Sequence, residues 1–326
     1  MPNLSRRALI GGATSSAALS LLPHIGLGQS YPSRPIKIIS PYAAGGATDT
    51  MARVMGQWFT ERMGAAVVVE NKPGGGANIG TESVLKSPAD GYTLLLASTA
   101  NTVNATLFPK LNFNFLRDAI AVGKIGDAFN VLLVHPSTPV TTTADFISLL
   151  KSKPGTVTIG LPGNGSPQHM SAELFKLEAA VDPVFVQYRG APPVINDLVG
   201  GHINAGFASS IAAAELIKSG TLRALGVTTA RRAEAFPEIP SISEAVPGFE
   251  AVNFYGIAAP KGTPDDIVAK LNTVINEGLA NEGIKRHLAK IGVFTEPTTP
   301  ASFAASIAAE TEKWGKVVKA ANLKPT

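Results

Sequence analysis

Two glycine-rich segments, 29 residues apart, hold the residues of this chain best placed to do chemistry. The first is Pro41-Tyr42-Ala43-Ala44-Gly45-Gly46-Ala47-Thr48-Asp49 and the second is Asn71-Lys72-Pro73-Gly74-Gly75-Gly76-Ala77-Asn78. Each stands where an apolar run, 35–40 or 66–70, should turn into a helix. Glycine lets backbone N–H groups approach a bound group and point at it. A helix start behind such a loop adds unpaired donors and partial positive charge. Either loop alone reads as a tight βα turn with a capped helix start. Both together, after consecutive parallel strands, suit a clamp in which backbone amides and the Thr48 hydroxyl hold a carboxylate, because ligands of open α/β sheets sit beyond the carboxyl ends of the strands. Neither loop is a nucleotide motif. Ile79 occupies the place of the third glycine of a dinucleotide fingerprint, and no Gly-Lys-Ser/Thr run occurs.

Further polar residues stand at other expected strand ends. Ser98-Thr99-Ala100-Asn101 offers hydroxyls and an amide to a polar ligand, or is simply a polar loop. Gly163-Asn164-Gly165-Ser166-Pro167-Gln168-His169 again opens a helix, with Ser166 as a cap or a ligand donor and His169 as a hydrogen-bonding residue. A Ser166–His169 hydrolase is the rival reading, but Asn164 and Gln168 replace the glycines of a nucleophile elbow. In Tyr188-Arg189-Gly190, Arg189 can fork onto a second carboxylate or form a salt bridge within the protein. Phe207, Ala208 and Ser209 end another strand and would close the far wall of a pocket. No metal constellation is expected: the five histidines, His24, His135, His169, His202 and His287, are scattered, and there is no cysteine. No cofactor is expected either.

The elements that must position these residues alternate between strand and helix. Met51, Val54, Met55, Trp58 and Phe59 recur at i, i+3, i+4, i+7 and i+8, one buried helical face behind the first loop, with Thr48 or Asp49 as its cap. Strands are expected over 66–70, 92–97, 130–135, 156–161, 184–187, 203–208 and 222–228, with helices between them. A long crossing strand is expected over 252–258, followed by helices over 264–279, 283–291 and 300–320. A chain that builds one α/β unit, then a second, and returns with helices predicts two domains with crossovers near 125–133 and 248–256.

Composition narrows the class. The 326 residues are 45% hydrophobic and 16% charged, a globular chain long enough for two cores. The net charge of +4 is spread along the sequence and aromatics are 6%, which argues against a nucleic-acid partner. Residues 1–28 read as a signal peptide: Arg6 and Arg7, no acid, an apolar stretch over 8–22, and small residues before a cut after Gly28. Ser5-Arg6-Arg7-Ala8-Leu9-Ile10 fits twin-arginine and ordinary export alike. A soluble, exported protein is expected.

In order along the chain, Tyr31-Pro32-Ser33-Arg34-Pro35-Ile36, Gly45-Gly46-Ala47-Thr48-Asp49, Glu70-Asn71-Lys72-Pro73-Gly74-Gly75-Gly76-Ala77-Asn78-Ile79-Gly80 and Asp90-Gly91-Tyr92-Thr93-Leu94-Leu95 resemble the periplasmic receptors of tripartite tricarboxylate transporters, the Bug proteins. So do Tyr188-Arg189-Gly190, Asp197-Leu198-Val199-Gly200-Gly201-His202 and Pro247-Gly248-Phe249-Glu250. The resemblance implies an α/β, two-lobed Venus-flytrap fold of the type II periplasmic-binding kind, with the C-terminal helices returning to the first lobe. It implies lobes at 29–130 plus 252–326 and at 131–251. It also implies a non-enzymatic periplasmic receptor, acting as a monomer, for a di- or tricarboxylate, an acidic amino acid or an aromatic acid. The partner would be a membrane permease, or for a sensor a signalling protein. The clamp would comprise Tyr42, Ala43, Ala44, Gly45, Thr48 and Asp49 with Gly75, Gly76 and Asn78. Around it would stand Ser98, Thr99, Ala100, Asn101, Ser166, His169, Tyr188, Arg189, Gly190, Phe207 and Ser209. Two departures touch that pocket: Tyr42-Ala43-Ala44 where members often carry phenylalanine and proline, and Asn204, Gly206 and Ala208 where aspartate and methionine are common.

Overall fold

The computed structural model describes residues 31–290 and 292–325, so the expected signal peptide lies outside the described residues. The first unit runs β1 (Ile36–Ser40), α1 (Ala47–Met63), β2 (Val67–Asn71), α2 (Asn78–Leu85), β3 (Thr93–Ser98), α3 (Thr99–Leu107) and α4 (Phe115–Asp118). A 16-residue strand, β4 (Ala119–Val134), then leaves it. The second unit holds α5 (Thr143–Ser152), β5 (Thr158–Leu161), α6 (Pro167–Glu178), β6 (Val184–Gln187), α7 (Ala191–Val199), β7 (Ala205–Ser209), α8 (Ser210–Lys218) and β8 (Arg223–Val227). The chain returns through β9 (Val252–Pro260) to α9 (Asp265–Ala280), α10 (Glu282–Lys290), β10 (Val293–Phe294) and α11 (Pro300–Ala320).

The strands form one curled sheet in the order β2-β1-β3-β9-β4-β7-β5-β6, with β8 and β10 also on β4. In the first lobe β2, β1 and β3 are parallel. In the second β7, β5 and β6 are parallel. β4 joins the two lobes: residues 119–129 pair with β9, and 130–134 pair with β7. Parallel strands buried on both faces explain the near-continuous apolar runs at Ile36, Ile38 and Ile39 and at Leu94, Leu95 and Leu96, all fully buried.

Two elements were not legible beforehand. The first half of β4 carries register shifts at Ala121/Gly123 and Lys124/Gly126, which break the alternation that marks a strand. The expected polar loop at 98–101 is instead the start of α3. Its Thr99, Asn101, Thr102 and Asn104 are buried; Thr102 bonds back to Thr99 O within the helix and the other three bond to neighbouring segments, so a polar sequence forms an interior helix.

α9 and α10 pack on the first lobe, with Leu271, Ile275 and Leu288 in the core around Ile36 and Phe59. α11 goes further. Its 21 residues span roughly 31 Å. Phe303 and Ile307 share a core with Leu95 and Phe254, whereas Trp314, Val317 and Val318 belong to the core that holds Phe146 and Phe175. The last helix is therefore a third connection between the lobes, beside β4 and β9.

Candidate functional site

The two glycine loops follow β1 and β2, adjacent parallel strands, and so lie side by side at one sheet edge. They are tied by Asn71, whose Nδ2 donates to Tyr42 O and to Asp49 Oδ1, both at 3.0 Å. Asp49 is the hub of the first loop. Its Oδ2 accepts from Gly45 N at 2.9 Å and from Arg53 Nε at 3.0 Å. Burial pushes the Asp49 carboxyl up, but the bonds from Arg53, Gly45 and Asn71 outweigh it and hold the group below its ordinary value. Gly46, not Thr48 or Asp49, is the N-cap of α1, with no side-chain cap. Thr48 is buried beside it. Asp49 and the Gly45 amide are thus engaged with each other, while Ala43 and Ala44 remain exposed. Tyr42 is half-buried; burial, and then the nearby Tyr255 hydroxyl, push its own hydroxyl up.

The second loop is built differently. Gly74, Gly75, Gly76 and Ala77 all have positive φ, at 125°, 56°, 62° and 80°. A left-handed run turns successive N–H groups to one side, and glycine is the residue that adopts it cheaply. Behind the loop, α2 presses against the backbone: a Cβ at Gly80 would lie 2.8 Å from Lys72 O and 2.9 Å from Pro41 Cα. From the other side, Asn104 of α3 donates through Nδ2 to Gly76 O at 2.6 Å and to Asn78 Oδ1 at 2.9 Å. Asn101 Oδ1 accepts from Ser98 N, and its Nδ2 donates to Thr81. Thr99 Oγ1 accepts from Phe254 N of β9. Ala100 is buried between them. The Ser98 to Asn101 stretch therefore braces the loop more than it opens to a cleft.

The second lobe meets this edge. A Cβ at Gly76 would lie 3.5 Å from Asn164 O, and one at Gly165 would lie 3.1 Å from Asn104 Oδ1. Asn164 Nδ2 donates to Lys324 O, just beyond α11. Ser166 is the N-cap of α6 and accepts from His169 N. The His169 ring is buried and fully engaged. Nδ1 accepts from Gly165 N at 3.0 Å, which leaves the proton on Nε2 to face Glu173 Oε1 at 3.3 Å. Ser166 and His169 form no nucleophile–base pair, because the imidazole nitrogens both point elsewhere. Tyr188 OH donates to Asp197 Oδ2 at 2.6 Å; burial, then that carboxylate, push the hydroxyl up to about 12. Arg189 is exposed and makes no ion pair with any described residue, so the internal salt bridge is not formed. Gly190, with φ 113°, is the N-cap of α7. Phe207 does not line a pocket wall: it is 2% exposed and packs edge-on against Phe175 in the core. Inward alternation along β7 sends its ring away from the cleft. Ser209 caps α8.

Residues that sequence reasoning missed sit where the strands cross. Asn253 of β9 donates to Asn130 Oδ1 of β4 at 3.2 Å, and Asn130 Nδ2 donates to Ser171 Oγ of α6 at 2.8 Å. Both asparagines are buried. This chain of amides joins the two crossing strands to the helix that begins at Ser166. Nothing local marks these asparagines, which are 123 residues apart.

Among the described residues no group of histidine, aspartate and glutamate could hold a metal, and no helix is long and apolar enough to cross a membrane. The chain is 36% identical over 293 residues to protein BugT of Bordetella pertussis, covering 89% of this chain and 90% of BugT. The structure of R. palustris Rpa4515 with adipate aligns with a TM-score of 0.86 and 33% identity, over 91% of this chain and 100% of that one. MatC of Rhodopseudomonas palustris with bound malate aligns at 0.82 and 27%, over 88% and 100%. The model of the tripartite tricarboxylate transporter family receptor matches residues 51–323. With the match reaching from the first helix past the last, and the fold shared almost from end to end, the chain belongs to that family of substrate-binding receptors, which are not enzymes.

Proposed function

We propose that this protein is a periplasmic receptor that binds a small organic carboxylate between its lobes, closes over it and delivers it to a tripartite membrane permease. The carrying observation is the paired loops at one sheet edge: the left-handed run from Gly74 to Ala77 aims backbone donors, and Asn71 fixes the first loop beside it. The neighbours bound to adipate and malate support a carboxylate. Asp49 acts by shaping the loop, since its own charge is held by Gly45, Arg53 and Asn71. Among the described residues of the candidate segments Arg189 is the exposed cation with no ion pair, whereas Lys72 is paired with Glu70, and it suits a second carboxylate as the lobes close. The moving bodies are the described residues of 29–130 with 252–326, and 131–251, with α11 reaching from the first to the second. A ligand that binds the closed form better shifts the population towards it.

The test is a thermal-shift and calorimetric screen of mono-, di- and tricarboxylates on protein unfolded and refolded to remove co-purified ligand. A binder at ~100-fold excess over Kd stabilises by about 2.7 kcal/mol. A broad panel with no stabiliser contradicts the reading. Loss of uptake of the identified acid in a deletion strain tests the link to a permease.

A further inference from the structure

The interlobe seam contains an amide pair with two unmatched atoms. Asn104 Nδ2 donates to Gly76 O, a carbonyl that can only accept, so the assignment of oxygen and nitrogen in Asn104 is set. The same Nδ2 donates to Asn78 Oδ1, which sets Asn78 as well. That leaves Asn78 Nδ2, a donor, and Asn104 Oδ1, an acceptor, buried without any hydrogen-bond partner among the described residues. The two residues are 7% and 2% exposed. The unmatched acceptor lies beneath Gly165 of the second lobe, and the unmatched donor belongs to the first residue of α2, directly after the left-handed run. The acceptor therefore lies where the second lobe comes down on the clamp loop, and the donor belongs to the amide hydrogen-bonded directly to it at 2.9 Å.

A buried amide atom without a partner is costly, so a bound group that supplies the missing partners removes that cost. An ionised carboxylate has acceptors only and can satisfy Asn78 Nδ2 but not Asn104 Oδ1. A hydroxyl carries one donor and two acceptor lone pairs and can satisfy both at once. We propose that Asn78 and Asn104 form a hydroxyl-reading subsite, and that the ligand class is hydroxylated carboxylic acids. This inference rests on the carboxylate reading above. In it the glycine loop holds the acid end and the amide pair selects the hydroxyl next to it. A site built to hydrogen-bond a hydroxyl discriminates strongly against an analogue lacking it, because its polar atoms are then left unpaired.

The carboxylate panel is run as matched pairs that differ by one hydroxyl: succinate with malate, glutarate with 2-hydroxyglutarate, and phenylacetate with mandelate. Each other acid that binds is compared with its hydroxylated partner. Titration calorimetry on refolded full-length mature protein should give at least about ten-fold tighter binding for the hydroxylated member of the pairs that bind. In Asn78→Ala and Asn104→Leu that ratio should fall towards one. A purely structural role would weaken both members alike and keep the ratio. Asn78→Ala decides the matter alone if Asn104→Leu does not fold, as judged by its melting curve. Equal or tighter binding of the unhydroxylated acids, or a ratio that survives in the folded variants, overturns the hydroxyl subsite while leaving the carboxylate receptor standing. No binding by any acid removes the carboxylate reading, and this subsite with it.

Discussion

Asp49→Ala removes the hub that gives the first loop its shape. The side chain is 6% exposed and accepts from three donors, Gly45 N, Arg53 Nε and Asn71 Nδ2. Hydrogen bonds to a charged group contribute about 1.5–3 kcal/mol each, and the lower end applies here because Gly45 and Asn71 are reachable by water once released. Arg53 is 56% exposed, so its share is that of a surface pair, roughly 0.3–0.5 kcal/mol. The expected loss is about 3 kcal/mol at neutral pH, read as a shift in the urea midpoint at unchanged slope. The pH dependence has a definite sign. The folded-state pKa is depressed, so the stabilisation is fully present above the unfolded value near ~3.9 and is lost as pH falls through the lower folded value. The gap between the urea curves of wild type and variant should therefore be the same at pH 7 and 5 and narrower at pH 3. A difference under about 0.5 kcal/mol at pH 7, or one that persists unchanged at pH 3, would refute the assignment of Asp49 as the loop's ionised anchor.

Three further outcomes follow from the same contacts. Gly80→Ala should destabilise by about 2 kcal/mol or more in urea, because the new methyl would meet the Lys72 carbonyl at 2.8 Å and the Pro41 backbone at 2.9 Å, neither of which can swing aside. Ser166→Ala should cost about 1 kcal/mol as a lost N-cap, and neither wild type nor variant should turn over an ester panel; turnover abolished by the substitution would restore the hydrolase reading. Trp314→Ala should cost roughly 3–5 kcal/mol in calorimetry, as the ring is 1% exposed in the core where α11 meets Phe146 and Phe175 of the second lobe and Val103 and Leu107 of α3; a loss below 1 kcal/mol would mean that α11 does not tie the lobes.

What the sequence determined by itself was whatever depends on near neighbours. The helical face at Met51, Met55 and Phe59, the apolar parallel strands, the return by β9 and the three closing helices all follow from period and turn chemistry within a short window. The glycine loops were legible for the same reason: positive φ at Gly74 to Gly76 is a property of those residues. The tertiary structure decided which of their atoms are available. Asp49 stood in the loop as a candidate contact, and only Asn71, 22 residues away, and the folded-back Gly45 amide show it to be an anchor. His169 looked like a ligand partner until Gly165 and Glu173 closed around its two nitrogens. Phe207 was placed at the cleft by its position at a strand end, and the Phe175 ring draws it into the core. α3 and the first half of β4 were missed because their polar and irregular residues are balanced by groups far along the chain, among them Gly76 for Asn104 and Phe254 for Thr99. A hydrogen bond is specific to a pair of atoms, and a sequence states the residue types but not which distant pairs will meet. Elements that answer to local periodicity are written in the order of residues; the donors and acceptors left over at the seam exist only once the lobes are folded against each other.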